Sequence, residues 1–343
     1  MRVRQYDIEE AFLNGPLEEE LYVWDIHATG HRAWRLRKSL YGTKQAAYNW
    51  NKVLNNIFKG LGFSQCFDNP GLYYRISDRS IIVVHVDDLL CAFPDLRTEK
   101  EWEAGMSKHL TLEKRRQPQR FLGMDWSWHD RENNKQEVLI SGALTIEKLA
   151  QDYGIGFTRE ATTLYTTRKE PEGQADIKQF QKLTGKLLFI TQMWRLDIRY
   201  AVQRLCVKTR APTSQDWING LKIVAYLYST KNEGIMLGPS GKEPIDIFTD
   251  AGEERLEDKA TSGILTRIGM SPVSWASRKQ DVVTLSSTEA EYIALSMGVQ
   301  DELWLQKVLE FLGEVRTPRI WTDNRGASIL TENPDFHRRT KHI

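Results

Sequence analysis

Cysteine is scarce in this chain: Cys66, Cys91 and Cys206 are the only three in 343 residues, and they share no close spacing. That excludes a disulfide framework and a cysteine-based zinc site, and it suits a reducing compartment. No apolar run reaches membrane-spanning length, and the first residues, MRVRQYDIEEAF, hold no apolar core of the kind a signal peptide needs. Low-complexity tracts are missing too. With 41% hydrophobic and 27% charged residues the composition is that of folded domains, so the whole chain is expected to fold, as roughly two or three domains. Excess charge is also lacking. The net of +1 argues at first against a partner bound through its phosphates.

Distribution matters more than the sum. From His31 to Lys52 there is no acidic residue, while Arg32, Arg35, Arg37, Lys38, Lys44 and Lys52 recur among Trp34, Tyr41, Tyr48 and Trp50. Cations interleaved with flat rings suit contact with a nucleic-acid backbone plus stacking on bases or sugars, so Arg37, Lys38 and Lys44 are candidate template and nucleotide contacts. A solvated helix face over a core aromatic stripe explains the same pattern equally well.

Organisation follows the periodicity. Short β-like runs precede a helix from about Leu40 to Leu61, and strands return at Gly71 to Ile76 and Ser80 to Ala92, which predicts a mixed α and β domain of roughly 130 residues. VLISG leads to a helix over Leu144 to Tyr153. The polar stretch Thr166 to Asp176 is the best linker candidate. Helices are predicted over Ile177 to Trp194 and Trp217 to Thr230, forming a helical layer. Beyond Gly241 come three strands, a long helix, a strand and a helix, a second α/β domain.

Two groups of carboxylates stand out. In IIVVHVDDLLCAF, Asp87 and Asp88 sit between apolar β runs, where ionised carboxylates are costly to hold without a compensating charge. A divalent cation compensates them and binds substrate phosphates as well; a plain hairpin turn accounts for the same residues without chemistry. Asp7, in the strand-like QYDIEEAF, can project from a neighbouring strand, and Phe12 offers a ring for the sugar of an incoming nucleotide or is simply core. Glu9 and Glu10 are taken as solvated helix-start residues. The second group is Asp250 and Asp323 at strand ends, with a glutamate from the long helix. There Thr288 to Glu291 and Ser286 to Glu289 each fit a capping box, so the residues alone leave Glu289 and Glu291 open, and Asp323 beside Asn324 also fits a helix cap.

The segments YDIEEAFLNGPLEEELYV, LRKSLYGTKQAAYNW, GFSQCFDNPGLYYR, VVHVDDLL, RFLGMDW, LDIRYAV, SWASRKQ, LSSTEAEYIALS, TDNRGA and RRTKHI, in this order, resemble the reverse transcriptase and ribonuclease H region of copia-type long-terminal-repeat retrotransposons. The resemblance implies an α+β fold: a truncated palm over residues 1–135, a thumb and helical connection over 136–240, and a ribonuclease H-like α/β domain over 241–343. It implies that Asp7, Asp87 and Asp88 hold metal ions, Mg²⁺ or Mn²⁺, and it selects Glu291 over Glu289 to join Asp250 and Asp323 in a second metal-binding catalytic cluster. Tyr41, Gly42 and Lys44 fall near template and nucleotide, and Phe121, Leu122 and Gly123 at a primer-holding hairpin. The implied partners are an RNA template, a DNA primer, the RNA–DNA hybrid, deoxynucleoside triphosphates and other polyprotein segments, with no membrane. The implied location is intracellular, in cytoplasmic virus-like particles and in the nucleus. Relatives carry fingers before the first aspartate and a further aspartate after K-H-I, so a polyprotein piece lacking most of the fingers is expected. His85 replaces a usual aromatic, and AGEERLED a segment that tends to carry Asp and Trp. The two expectations are an RNA-directed DNA polymerase with ribonuclease H, and an inert remnant that only binds nucleic acid.

Overall fold

The computed structural model describes residues 1–17, 19–25, 32–115, 117–132, 135–156, 173–239, 241–252 and 259–332. These form two compact units, one of residues 1–118 with 307–315, the other of 119–306 with 316–343.

In the first unit β1 (Arg2–Ile8) is followed by a small hairpin, β2 (Tyr22–Trp24) and β3 (Ala33–Arg35). Helix α1 (Ala46–Gly60) begins six residues after the expected Leu40. Gly42, with φ of 92°, and the turn closed by the Thr43 N–H on the Leu40 carbonyl hold the preceding residues out of the helix. Ala46, Trp50, Leu54 and Phe58 recur every fourth residue, so one stripe of α1 is buried. It faces a six-stranded sheet built from β4 (Ser64–Gln65), β5 (Leu72–Arg75), β6 (Ser80–His85), β7 (Asp88–Phe93), β1 and β8 (Leu112–Arg115), in the order β4-β5-β6-β7-β1-β8. Tyr6, Ile8, Tyr73, Ile82, Leu89 and Phe93 share its core with Trp102 of α2 (Leu96–Met106), a helix absent from the sequence reading and capped by the Asp95 side chain on the Thr98 N–H.

The second unit opens with β9 (Arg120–Phe121), β10 (Met124–Arg131) and β11 (Lys135–Ser141). β10 and β11 pair from Asp125 opposite Ser141 to Arg131 opposite Lys135, so residue 135, where a boundary is expected, lies in a hydrogen-bonded hairpin; the compact unit starts at Gln119. Helices α3 (Ala143–Asp152), α4 (Ile177–Met193), α5 (Arg199–Val207) and α6 (Ser214–Ser229) pack around Phe180, Leu187, Val202, Leu205, Ile223 and Leu227. α5 was not predicted. Most of the expected linker, residues 166–172, lies outside the described residues. β12 (Ile235–Leu237) returns to β11.

The same unit continues with β13 (Ile245–Gly252), β14 (Thr261–Ile268), β15 (Ser271–Lys279), the long α7 (Ser287–Phe311) up to Gln306, β16 (Pro318–Trp321) and α8 (Arg325–Glu332). The strand order is β15-β14-β13-β16, and β16 runs parallel to β13. Gly298 lets α7 close onto β13, since a Cβ there would lie 2.6 Å from Cγ2 of Thr249 and 3.1 Å from Cγ2 of Ile247. The indole N–H of Trp275 donates to the Thr191 carbonyl over 2.6 Å, tying β15 to the helical layer. No helix among the described residues is long and apolar enough to cross a membrane.

Candidate functional site

β1 and β7 pair antiparallel with Asp7 opposite Asp88, and the β6–β7 turn, Val86 and Asp87, returns the chain beside them. The turn is tied to β1 because the Ile8 N–H donates to the Asp87 carbonyl over 3.0 Å. Three half-buried carboxylates result, Asp7, Asp87 and Asp88, each offering an oxygen within 4.8 Å of the others. A hard, all-oxygen donor set of this kind fits a divalent cation such as Mg²⁺ or Mn²⁺.

Two residues that the sequence reading did not assign to this site hold the group in place. The buried Gln5 amide donates to Oδ1 of Asp88 over 3.3 Å. It stands two residues before Asp7 and so on the same strand face, the one signal that marks it. Trp50, which the sequence left open between an aromatic–basic surface and a core stripe, belongs to the stripe: it is 3% exposed, and its indole N–H donates to the Val86 carbonyl over 2.7 Å. Val86 has φ of 60°, a conformation that a β-branched residue rarely adopts, so the turn carrying Asp87 is strained and clamped.

The other rings of the basic stretch, Trp34, Tyr41 and Tyr48, are exposed. Half-buried Phe12, on a short 3-10 helix over Ala11–Asn14, packs edge-on against Tyr41 with ring centroids 4.7 Å apart. Partial desolvation and the negative charges of Asp87, Asp7 and Glu10 hold the Tyr41 phenol above its ordinary pKa, so this ring stands beside the carboxylates. Glu10 takes no regular helix start but a left-handed conformation, φ 52°. Gly42 borders open space, and Arg37, Lys38 and Lys44 are exposed. Arg35 is paired with Glu20 at 2.7 Å, and Lys52 lies over the Tyr48 ring at 4.5 Å.

Phe121, Leu122 and Gly123 belong to the second unit, where Phe121 pairs with Met124 across a two-residue turn. Leu122 and Gly123 both have positive φ, 49° and 81°, the geometry of a tight primed turn.

The second unit also brings Asp250, Glu291 and Asp323 together, again with an oxygen of each within 4.8 Å of the others. The ambiguity between glutamates resolves on capping. The Glu289 carboxylate accepts the Leu285 N–H over 2.7 Å while the Ser286 hydroxyl accepts the Glu289 N–H, so Glu289 serves the start of α7. Glu291 is buried, and its Oε2 has no hydrogen-bond partner among the described residues. Burial pushes its carboxyl pKa up, a backbone N–H from Ala251 works against this, and the charges of Asp250 and Asp323 add to it. An orphaned buried carboxylate oxygen between two further carboxylates fits a cation there. Capping of α8 falls to Asn324, whose Oδ1 accepts the Ala327 N–H over 2.9 Å, not to Asp323. Asp246, buried four residues before Asp250, receives Arg319 and the Trp321 indole at 2.8–2.9 Å from β16.

Comparison with known proteins agrees with this architecture. The family described as Reverse transcriptase (RNA-dependent DNA polymerase) matches residues 1–155. The Pol polyprotein of transposon RE2 from Arabidopsis thaliana is 30% identical over 360 residues, covering 99% of this chain and 24% of that protein. That of transposon TNT 1-94 from Nicotiana tabacum is 28% identical over 366 residues, 100% of this chain and 27% of that protein. The chain thus spans about a quarter of the length of these two relatives. The putative transposon Ty5-1 protein of Saccharomyces cerevisiae is 30% identical over 310 residues, 86% of this chain and 99% of that protein. A foamy viral protease-reverse transcriptase, solved in complex with an RNA/DNA hybrid, shares the fold with a TM-score of 0.55 at 12% identity, over 98% of this chain and 40% of that one. The chain belongs to the reverse transcriptases of copia-type retrotransposon Pol polyproteins.

Proposed function

We propose that the chain carries out RNA-directed DNA synthesis at Asp7, Asp87 and Asp88 and hydrolyses the RNA strand of the hybrid at Asp250, Glu291 and Asp323. The observation that carries the first activity is the convergence of Asp7, Asp87 and Asp88, each with a carboxylate oxygen within 4.8 Å of the others, on a strand and the neighbouring turn. In synthesis the primer 3′-hydroxyl attacks the α-phosphorus of a deoxynucleoside triphosphate, a new phosphodiester forms and pyrophosphate leaves. Divalent ions, Mg²⁺ or Mn²⁺, bound by these carboxylates would neutralise phosphate charge and brace the attacking and leaving oxygens.

The chain's own part is placement. Gln5 orients the Asp88 carboxylate and Trp50 fixes the turn under Asp87. Phe12, backed by Tyr41, offers a flat wall to the sugar of the incoming nucleotide and excludes a 2′-hydroxyl by bulk. Arg37, Lys38 and Lys44 are exposed cations for the phosphates of template and nucleotide, with Tyr41 and Gly42 beside them. The Phe121, Leu122 and Gly123 turn is a stiff edge suited to a primer backbone. In this reading the six-stranded sheet is the palm, the layer of α3 to α6 the thumb and connection, and β13 to α8 a ribonuclease H-like domain, whose mixed sheet and crossing helix suit its three carboxylates. The buried helix acid, Glu291, with Asp250 of β13 and Asp323 just past β16, would hold metal ions that activate water against the RNA phosphodiester.

Extension of a DNA primer on an RNA template with Mg²⁺ tests the polymerase. It is expected in the wild-type chain and abolished by Asp87→Asn; template binding without extension would support the inert remnant instead. Cleavage of labelled RNA in a hybrid, abolished by Asp250→Asn, tests the second activity, and persistence in that variant overturns the assignment.

A further inference from the structure

Between the start of α5 and the β13–β15 sheet lies a cavity of about 520 Å³, within the size range of ligand sites. Its lining includes Asp250, Gly263 and Ser277, which stand in register on three adjacent strands, and Arg199 and Tyr200 from α5. Ser277 is 7% exposed, and its hydroxyl has no hydrogen-bond partner among the described residues. Nε and Nη1 of Arg199 are likewise out of solvent and unpartnered among the described residues. Burial lowers the guanidinium pKa, with the Cys206 thiol opposing this slightly and the like charge of Arg278 adding to it.

Guanidinium nitrogens held out of solvent with no hydrogen-bond partner among the described residues are unfavourable, and an unsatisfied hydroxyl lining the same cavity adds to the cost. Both are donors on residues that line one recess, so the chemistry that satisfies them is an anion with several acceptor oxygens. The floor is open for one. A Cβ added at Gly263 would meet only the Asp250 carbonyl oxygen, at 3.8 Å. A planar guanidinium matches a phosphate through paired donors, and a phosphodiester is the anion expected next to a carboxylate cluster that acts on a nucleic-acid strand.

We infer that this recess seats one backbone phosphodiester of an RNA–DNA hybrid, with Arg199 and Ser277 donating to its oxygens, and so sets how the strand lies across Asp250. The inference takes its substrate from the hydrolytic reading of the second cluster, yet it is tested by binding alone. Arg199 and Ser277 are positioning residues, supplied by the helical layer and by β15.

The test is fluorescence anisotropy of the full chain with a labelled RNA–DNA hybrid in EDTA, from 50 to 200 mM salt. Arg199→Gln is expected to weaken binding about tenfold and to reduce the slope of log affinity against log salt by about one. Arg199→Lys should restore the slope, and Ser277→Ala should weaken binding with the slope unchanged. Wild-type affinity and slope in Arg199→Gln overturn the inference, as does a wild-type chain that fails to bind at 50 mM salt, or a lysine variant as impaired as the glutamine one. Should circular dichroism show Arg199→Gln unfolded, Arg199→Lys and Ser277→Ala carry the test: an unchanged slope in the first and weaker binding in the second support the recess, and wild-type affinity in Ser277→Ala overturns it. The two readings separate cleanly. A binding defect without any wild-type cleavage sinks the hydrolytic reading and leaves the recess, whereas wild-type cleavage with unchanged binding in the variants does the reverse.

Discussion

Replacing Trp50 by phenylalanine isolates the clamp on the Asp87 turn. The ring position stays filled, but the donor that reaches the Val86 carbonyl over 2.7 Å is gone. Loss of one such bond is worth about 1 kcal/mol, and the unfilled part of the indole site, at a residue 3% exposed, brings the total to about 2–3 kcal/mol. For a unit of this size each kcal/mol lowers Tm by about 4 °C, so scanning calorimetry should show a fall of roughly 8–12 °C in the transition of the first unit. A second effect concerns geometry. With φ of 60° at Val86, strain of about 1–3 kcal/mol is held by its surroundings, and a turn released from the clamp should relax and carry Asp87 away from Asp7. Mn²⁺ affinity at that cluster should therefore fall severalfold. Val86→Gly tests the cause, since glycine adopts positive φ without strain and needs no clamp. In that background Trp50→Phe should cost less Mn²⁺ affinity, with a coupling above about 0.5 kcal/mol in the double-mutant cycle. Wild-type Tm and Mn²⁺ affinity in Trp50→Phe, or strict additivity in the cycle, would refute the reasoning.

Other changes probe the second cluster. Gly298→Ala sets a methyl group 2.6 Å from Cγ2 of Thr249, so α7 must move off β13; a loss of about 1–3 kcal/mol by denaturant unfolding is expected, with slower hybrid cleavage as Glu291 moves with the helix. Asn324→Ala removes the side chain that accepts the Ala327 N–H and should cost about 1 kcal/mol in the same assay; an unchanged midpoint would show that α8 starts without it. Mn²⁺ at a hundred times its dissociation constant should stabilise each unit by about 2.7 kcal/mol per bound ion, an effect that EDTA reverses and that Asp87→Asn removes in the first unit and Asp250→Asn in the second.

The Asp87 and Asp88 pair was legible because carboxylates inside apolar β runs demand a compensating charge, and Asp7 because its strand context matched. Trp50 stayed undecided because a run rich in Arg, Lys and rings fits both a surface and a helix stripe. Its place in the four-residue repeat Ala46, Trp50, Leu54, Phe58 belongs to the buried stripe. Gln5 carries no charge and leaves no mark in composition. The hairpin across residue 135 was hidden because β11 takes its other neighbour from β12, so pairing and packing decided where the unit starts. Glu289 and Glu291 sit two residues apart in one helix start, and only the hydrogen bonds around Ser286 separate their roles.

The pair of interactions on Asp246 bears on fidelity of assembly as much as on strength. Arg319 and Trp321 alternate along β16 on the side that meets Asp246 and Phe248, and the ring of Trp321 stacks on Phe248 at 6.2 Å. A slip of β16 by a single residue would turn both side chains to the opposite face. The ion pair and the stacked ring thus act as a registration key, and a misaligned strand would forfeit its anchoring and shift Asp323, two residues beyond its end, in the same event.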